Sequence, residues 1–274
     1  MDLITDILLN PIYLRGLIGV LLASVLGGVV SLLIRYTQTQ FLAIESLHMI
    51  LAAAATGYLV NLFIPYLYPE AIAYVVMSLF VILIVFLSQR GYEQNISIAT
   101  IAFVAAAISS LASYGLAVYS PVGPSIVYNI LFGSPFFLRE QDLLLSFLTI
   151  LIFLGVLLFT WKKILLLSFD PEYFSYMKGP VSTLLYRTMI YAIVALSAVY
   201  VTRLVGAIAA HVLFIAPSIT PFLKRITVVS ATAIIVLVSV ASLILAVILN
   251  MPYGGVLGVL SIALYAIPSL LMKK

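Results

Sequence analysis

Three side chains in this 274-residue chain stand out for the chemistry they can do: Glu45, His48 and His211, the last two being its only histidines. Glu45 and His48 are spaced i,i+3, which puts them on one face of a helix. A carboxylate beside an imidazole offers oxygen and nitrogen donors to a divalent ion such as zinc, manganese or ferrous iron. Ionisable groups are costly inside a membrane span, so each is a functional candidate by default. Blander roles compete with this one. Glu45 lies within about 6 Å of the inner end of its span and can reach headgroup water. A histidine in a helical bundle can simply hydrogen-bond across helices. Two donors also fall short of the four that close a structural zinc site. Span limits place His48 on the inner side of the midplane and His211 on the outer side, about 10 Å apart in depth. That predicts two stations on one path and not two ligands of one ion.

Other chemistry is excluded by what the chain lacks. With no cysteine there is no thiolate ligand, nucleophile or disulfide. HExxH, GxSxG and P-loop patterns are all missing, so no enzyme is expected, and ATP cannot be hydrolysed by this chain itself. The net charge of +4 comes without a basic patch interleaved with aromatic platforms, and no nucleic-acid partner is expected.

The elements that hold these residues are membrane helices. Hydrophobic residues make up 65% and charged residues 8%, against about a quarter charged in soluble domains. Too little polar surface remains to coat a soluble fold, whereas a lipid bilayer as partner needs none. The expectation is an all-α polytopic membrane protein, a single domain over 1–274, in the plasma membrane. About nine apolar stretches are long enough to span: roughly 12–34, 41–66, 71–88, 95–120, 143–166, 186–203, 205–223, 226–249 and 254–272. The seventh is the weakest, since Arg203 barely parts it from the sixth and Pro217 and Pro221 interrupt it. Residues 1–10 carry Asp2 and Asp6 but no basic residue, which predicts a short interfacial lead-in and not a cleaved signal.

Lysine and arginine set the orientation. With the N-terminus outside, the inner side receives Arg35, Arg90, Lys162, Lys163, Lys178, Arg187, Lys224, Arg225, Lys273 and Lys274, and the outer side only Arg15, Arg139 and Arg203. The bias predicts N-out and C-in. Trp161, beside Lys162 and Lys163, suits an inner interface anchor. Small residues, Ala23, Ser24, Gly27 and Gly28 in the first span and Ala52–Gly57 in the second, predict closely packed helices.

Two connections are more than loops. The inner one, about 167–186, holds Asp170 as an N-cap, Pro171 at the first helical position, Glu172 in the first turn, then Gly179 and Pro180 as a stop. It predicts a two-turn cytoplasmic helix carrying Tyr173, Phe174, Tyr176 and Met177, either lying in headgroups or inserting into a partner's groove. The outer one, 121–141, holds an apolar piece, Ser125–Phe132, too short to span and expected to be re-entrant or interfacial.

The stretch Val205-Gly206-Ala207-Ile208-Ala209-Ala210-His211-Val212-Leu213-Phe214-Ile215-Ala216-Pro217-Ser218-Ile219-Thr220 resembles, without a gap, the V-G-A-L-x-x-x-x-L-L-x-x-P-A-A-T pattern of the permease subunits of zinc/manganese/iron-type ABC transporters. The Asp170–Gly179 segment is similar to that family's coupling segment, with its glycine about one residue late. Leu131-Phe132-Gly133-Ser134 followed by Asp142 resembles its outer loop, and Pro252 with Gly254 its D-x-P-x-G motif. The likeness covers most of 40–274.

The resemblance implies a permease for a divalent transition-metal ion, forming a path as a homodimer or paired dimer, with no tightly bound cofactor. An ABC ATPase subunit, which carries the ATP, would dock on Asp170, Pro171, Glu172, Tyr173, Phe174 and Gly179, and an extracytoplasmic metal-binding protein would deliver the ion outside. Glu45 and His48 are then the expected transient contacts, His211 a gate or second contact, and Pro217 and Asn250 pathway positions. Three departures stand out. Ile44 occupies the family's aspartate place with Glu45 one residue on, Asn250 replaces an aspartate before Pro252, and His211 stands where relatives carry a small or hydroxyl residue. The alternatives are a permease for an organic or chelated cargo, and a gradient-driven secondary carrier that needs no ATPase.

Overall fold

The computed structural model describes residues 10–133, 135–220 and 227–266, and among them every regular element is helical. In chain order these are α1 (Pro11–Tyr36), α2 (Gln40–Phe63), α3 (Pro69–Gln89), α4 (Gln94–Tyr119), α5 (Gly123–Phe132), α6 (Glu140–Phe169), α7 (Pro171–Lys178), α8 (Pro180–Val205), α9 (Ala207–Ile219), α10 (Val228–Leu249) and α11 (Tyr253–Ser261). A short 3₁₀ turn, Pro135–Phe137, precedes α6, and α11 runs on into a π turn, Ile262–Ala266. Of the expected cations, Lys224, Arg225, Lys273 and Lys274 lie outside the described residues, as do Pro221, Ser134 and the side chain of Asp142.

Local chemistry accounts for the boundaries. The Asn10 side chain accepts from the Ile12 amide at 2.9 Å, and Pro11 follows at N1, where a missing N–H costs nothing. Thr227 caps α10 in the same way through the Ser230 amide. Asn250 closes α10 in the left-handed region at φ 50°, ψ 46°. Asparagine tolerates that conformation better than most residues.

Seven helices are long and apolar enough to cross a membrane: α1, α2, α3, α4, α6, α8 and α10. Three more apolar helices are shorter: α5, α9 and α11 with its continuation. The expected spans fall on these elements, with two corrections. The sixth begins at Pro180, directly after Gly179, so the inner connection proper shrinks to α7 and its caps. The seventh is the 13-residue α9, cut from α8 by Gly206 at φ 90°.

The centre of the bundle is α1 and α8, with 67% and 72% of their apolar windows buried. Around α1 pack α8, α9 and α10, while α2 packs on α3 and α4. The small residues of α1 work as expected: a Cβ on Gly27 would meet Leu213 of α9 at 3.1 Å, and one on Gly28 would meet Thr232 of α10 at 3.0 Å. The outer helices α3, α4 and α6 turn Leu83, Phe103, Leu111, Leu158 and Phe159 outward. In water such a surface would aggregate; in hydrocarbon it is the ordinary face of a span. At the inner end, Trp161 of α6 meets Tyr36 of α1 edge to face at 5.9 Å.

Candidate cation pathway and docking helix

Glu45 and His48 share a face of α2, as the spacing requires. The Glu45 Oε2 atom lies 3.4 Å from His48 Nδ1. His48 is half exposed in the single copy and Glu45 mostly covered, with side-chain accessibilities of 51% and 22%. α9, which carries His211, packs against α2, which carries Glu45 and His48. The Nδ1 atom of His211 is buried with no hydrogen-bond partner among the described residues. Two imidazoles and a carboxylate are thus carried by two packed helices. Among the described residues no three such groups converge tightly enough to close a metal site. The arrangement suits brief contact with a passing cation better than storage of one.

The expected depth difference of about 10 Å was counted from span limits. It assumed a full-length seventh span, whereas α9 is short and its inner end is pinned. Arg35, at the inner end of α1, is only 8% exposed. Its Nε donates to the Ser218 carbonyl at 2.9 Å, and its Nη2 donates to the carbonyls of Pro217 and Thr220. Those carbonyls lie in the last turn of α9 and its cap Thr220, where helical donors run short; the Pro217 carbonyl also accepts from the Thr220 amide. His211 then rises about 10 Å above Ser218, and His48 about 12 Å above Gln40, at about 1.5 Å per residue. Residues 37–39 alone join Arg35 and Tyr36 to Gln40, so both counts start from nearly one level. By this count the two histidines stand at similar heights along their helices. Arg35, expected as an inner-loop charge, turns inward, and its place at the boundary of an apolar span is the signal for that in the sequence.

Pro217 lies inside α9, buried, two residues from its end. Its carbonyl is one of those held by Arg35. Asn250 sits exposed at the far end of α10, and the structure gives it the helix-capping turn described above.

The inner helix α7 has the caps its sequence spells. The Asp170 side chain accepts from the Tyr173 amide at 2.9 Å, Pro171 occupies N1, Glu172 lies in the first turn and Lys178 in the last, and Gly179 ends the helix at φ 82°. Acid at the start and base at the end both suit the helix dipole. Its aromatics divide into two sets. Phe174 is fully buried and meets Tyr186 of α8 edge to face at 5.5 Å. Tyr173, Tyr176 and Met177 point outward, with Tyr176 at 88% exposure. Phe174 thus anchors α7 to its own bundle and offers no side chain to a partner, contrary to the expectation for that residue.

On the outer side, a cavity of about 880 Å³ lies among α2, α3, α5 and α8. Its α2 wall is Ile50, Ala54, Tyr58 and Asn61, one face of the helix. His48 points about 200° away from Ile50 around the same helix, at about 100° per residue. The cavity also holds the Glu70–Arg203 ion pair, 3.3 Å apart. Sequence reading did not find it, because its walls come from four separate helices.

Comparison with known proteins agrees with this architecture. A family model described as the ABC 3 transport family matches residues 10–273. No curated protein matches at a significant level. Among solved structures, PsaBC from Streptococcus pneumoniae in complex with a Fab superposes at a TM-score of 0.81 and 19% identity, over 98% of this chain and 94% of that one. An inward-facing ABC transporter described as of metal-chelate type superposes at 0.64 and 16% identity, over 97% of this chain and 87% of that one. At such identities the superpositions speak for the fold. With the family model spanning nearly the whole chain, this multi-pass membrane protein belongs to the ABC 3 transport family.

Proposed function

We propose that this chain is the permease subunit of an ATP-driven importer for a divalent transition-metal ion, zinc, manganese or iron. The observation that carries the reading is that Glu45 and His48, 3.4 Å apart on α2, lie on a helix packed against α9, which carries His211. Nitrogen and oxygen donors of this kind suit such ions, and an incomplete donor set lets the ion leave. His48 is half exposed in one copy, which fits a path enclosed between two copies of the chain. An ATPase subunit would dock on α7 through Tyr173, Tyr176 and Met177, and an extracytoplasmic metal-binding protein would present the ion outside. The solved relative described as metal-chelate type favours a second reading, in which the ion arrives as a chelate. The outer cavity supports it as well, since about 880 Å³ exceeds the roughly 200 Å³ of a six-water ion at about 30 Å³ per water.

The test is uptake of zinc or manganese into proteoliposomes holding the chain with its ATPase and binding protein. The expected result is uptake that requires ATP hydrolysis and in which free ion competes better than chelate. Metal movement without any nucleotide hydrolysis, or failure of the chain ever to capture an ATPase, would overturn the proposal. Better competition by the chelate would select the second reading.

A further inference from the structure

We infer that Arg35 is the positioning residue of the cation pathway, holding α9 at the height that levels His211 with Glu45 and His48. The inference rests on the metal reading above for its function, though not for its geometry.

Among the described residues Arg35 spends its buried guanidinium on backbone: Nε and Nη2 reach the carbonyls of Pro217, Ser218 and Thr220, while Nη1 is buried without a partner there. A buried cation is expensive in a span unless strong hydrogen bonds compensate. A helix C-terminus supplies them, because its last carbonyls lack donors and carry the negative end of the dipole. The planar fork of arginine can hold several of these oxygens at once, which fixes both the height and the rotation of the helix end. Lysine, a point charge on a flexible stem, can offset the charge but not fix the angle. Rotation matters here because one residue of slip turns a helix by about 100° and shifts it about 1.5 Å. His211 would then leave the face it shares with Glu45 and His48. α9 is short, 13 residues, and is separated from α8 by Gly206.

The full-length chain in nanodiscs, titrated with Zn²⁺ alone, tests this. Arg35→Met should weaken zinc binding about tenfold or more, with Arg35→Lys in between. In a His211→Ala background the Arg35→Met change should cost almost nothing further, because its effect passes through His211. Equal penalties in both backgrounds, or parental affinity in a folded Arg35→Met or Arg35→Lys protein, would overturn the inference. A second arm needs no metal. The chain has no cysteine, so a His48→Cys/His211→Cys pair can be joined uniquely by a short thiol-reactive cross-linker. Arg35→Met should lower that yield several-fold, with Arg35→Lys again between, and an unchanged yield in a folded variant would overturn the positioning role. If the parent binds no zinc, the metal reading fails and the cross-link still decides the geometry.

Discussion

Gly206 and Gly133 meet backbone to backbone: a Cβ on Gly206 would lie 2.4 Å from the Gly133 amide nitrogen, and one on Gly133 would lie 2.3 Å from the Val205 carbonyl carbon. Both glycines have positive φ, 90° and 70°. Two stretches that the sequence marks separately, the outer-loop Leu131–Gly133 and the Val205–Thr220 run, are thus one contact. Here α5 turns back onto the break between α8 and α9. Only glycine lets another chain segment approach the break that closely.

Either Gly133→Ala or Gly206→Ala should therefore destabilise the protein by more than about 2 kcal/mol, combining backbone strain with overlap. Gly155→Ala is the control. Nothing lies within 4 Å of a Cβ there, and alanine is a better helix former by about 1 kcal/mol. Thermal unfolding in detergent should show a marked loss for the first two and none for the third.

Replacing one ligand of the proposed cation path should cost roughly tenfold in apparent ion affinity, about 1.4 kcal/mol per lost charge-assisted contact. Glu45→Gln and His48→Ala should each do so. The double variant should lose less than the product of the two, since the side chains already touch, at 3.4 Å. Zinc titration of the four proteins gives the cycle, and parental uptake by Glu45→Ala/His48→Ala in the reconstituted complex would remove both residues from the path.

The two aromatic faces of α7 should separate under mutation. Phe174→Ala removes a fully buried ring, a change that costs about 3–5 kcal/mol in a well-packed core, and should loosen α7 from the bundle. Tyr176→Ala, on the exposed side, should leave thermal stability unchanged while weakening capture of the ATPase at least several-fold. Asp170→Ala should cost about 1 kcal/mol locally and Asp170→Asn much less, because both side-chain types cap. Hydrogen exchange over residues 170–179 and co-purification with the ATPase are the measurements.

Much of this protein was legible in its residues. Hydropathy alone places the long helices, because in lipid every backbone group must be satisfied within its own helix, so span length and composition decide the outcome locally. The caps of α7 were equally plain, since Asp170, Pro171 and Gly179 act on neighbours within a turn. The Glu45–His48 pair followed from helical periodicity.

What the residues could not reveal was depth and facing. The seventh element reads as a full span, because a hydropathy window cannot tell a full span from a short helix held at its inner end by a distant arginine. Phe174 was assigned to a partner because its burial depends on Tyr186, a residue of the next helix. In each case the deciding contact joins different helices. Local periodicity sets which residues share a face of one helix, and only the packed bundle sets what that face meets.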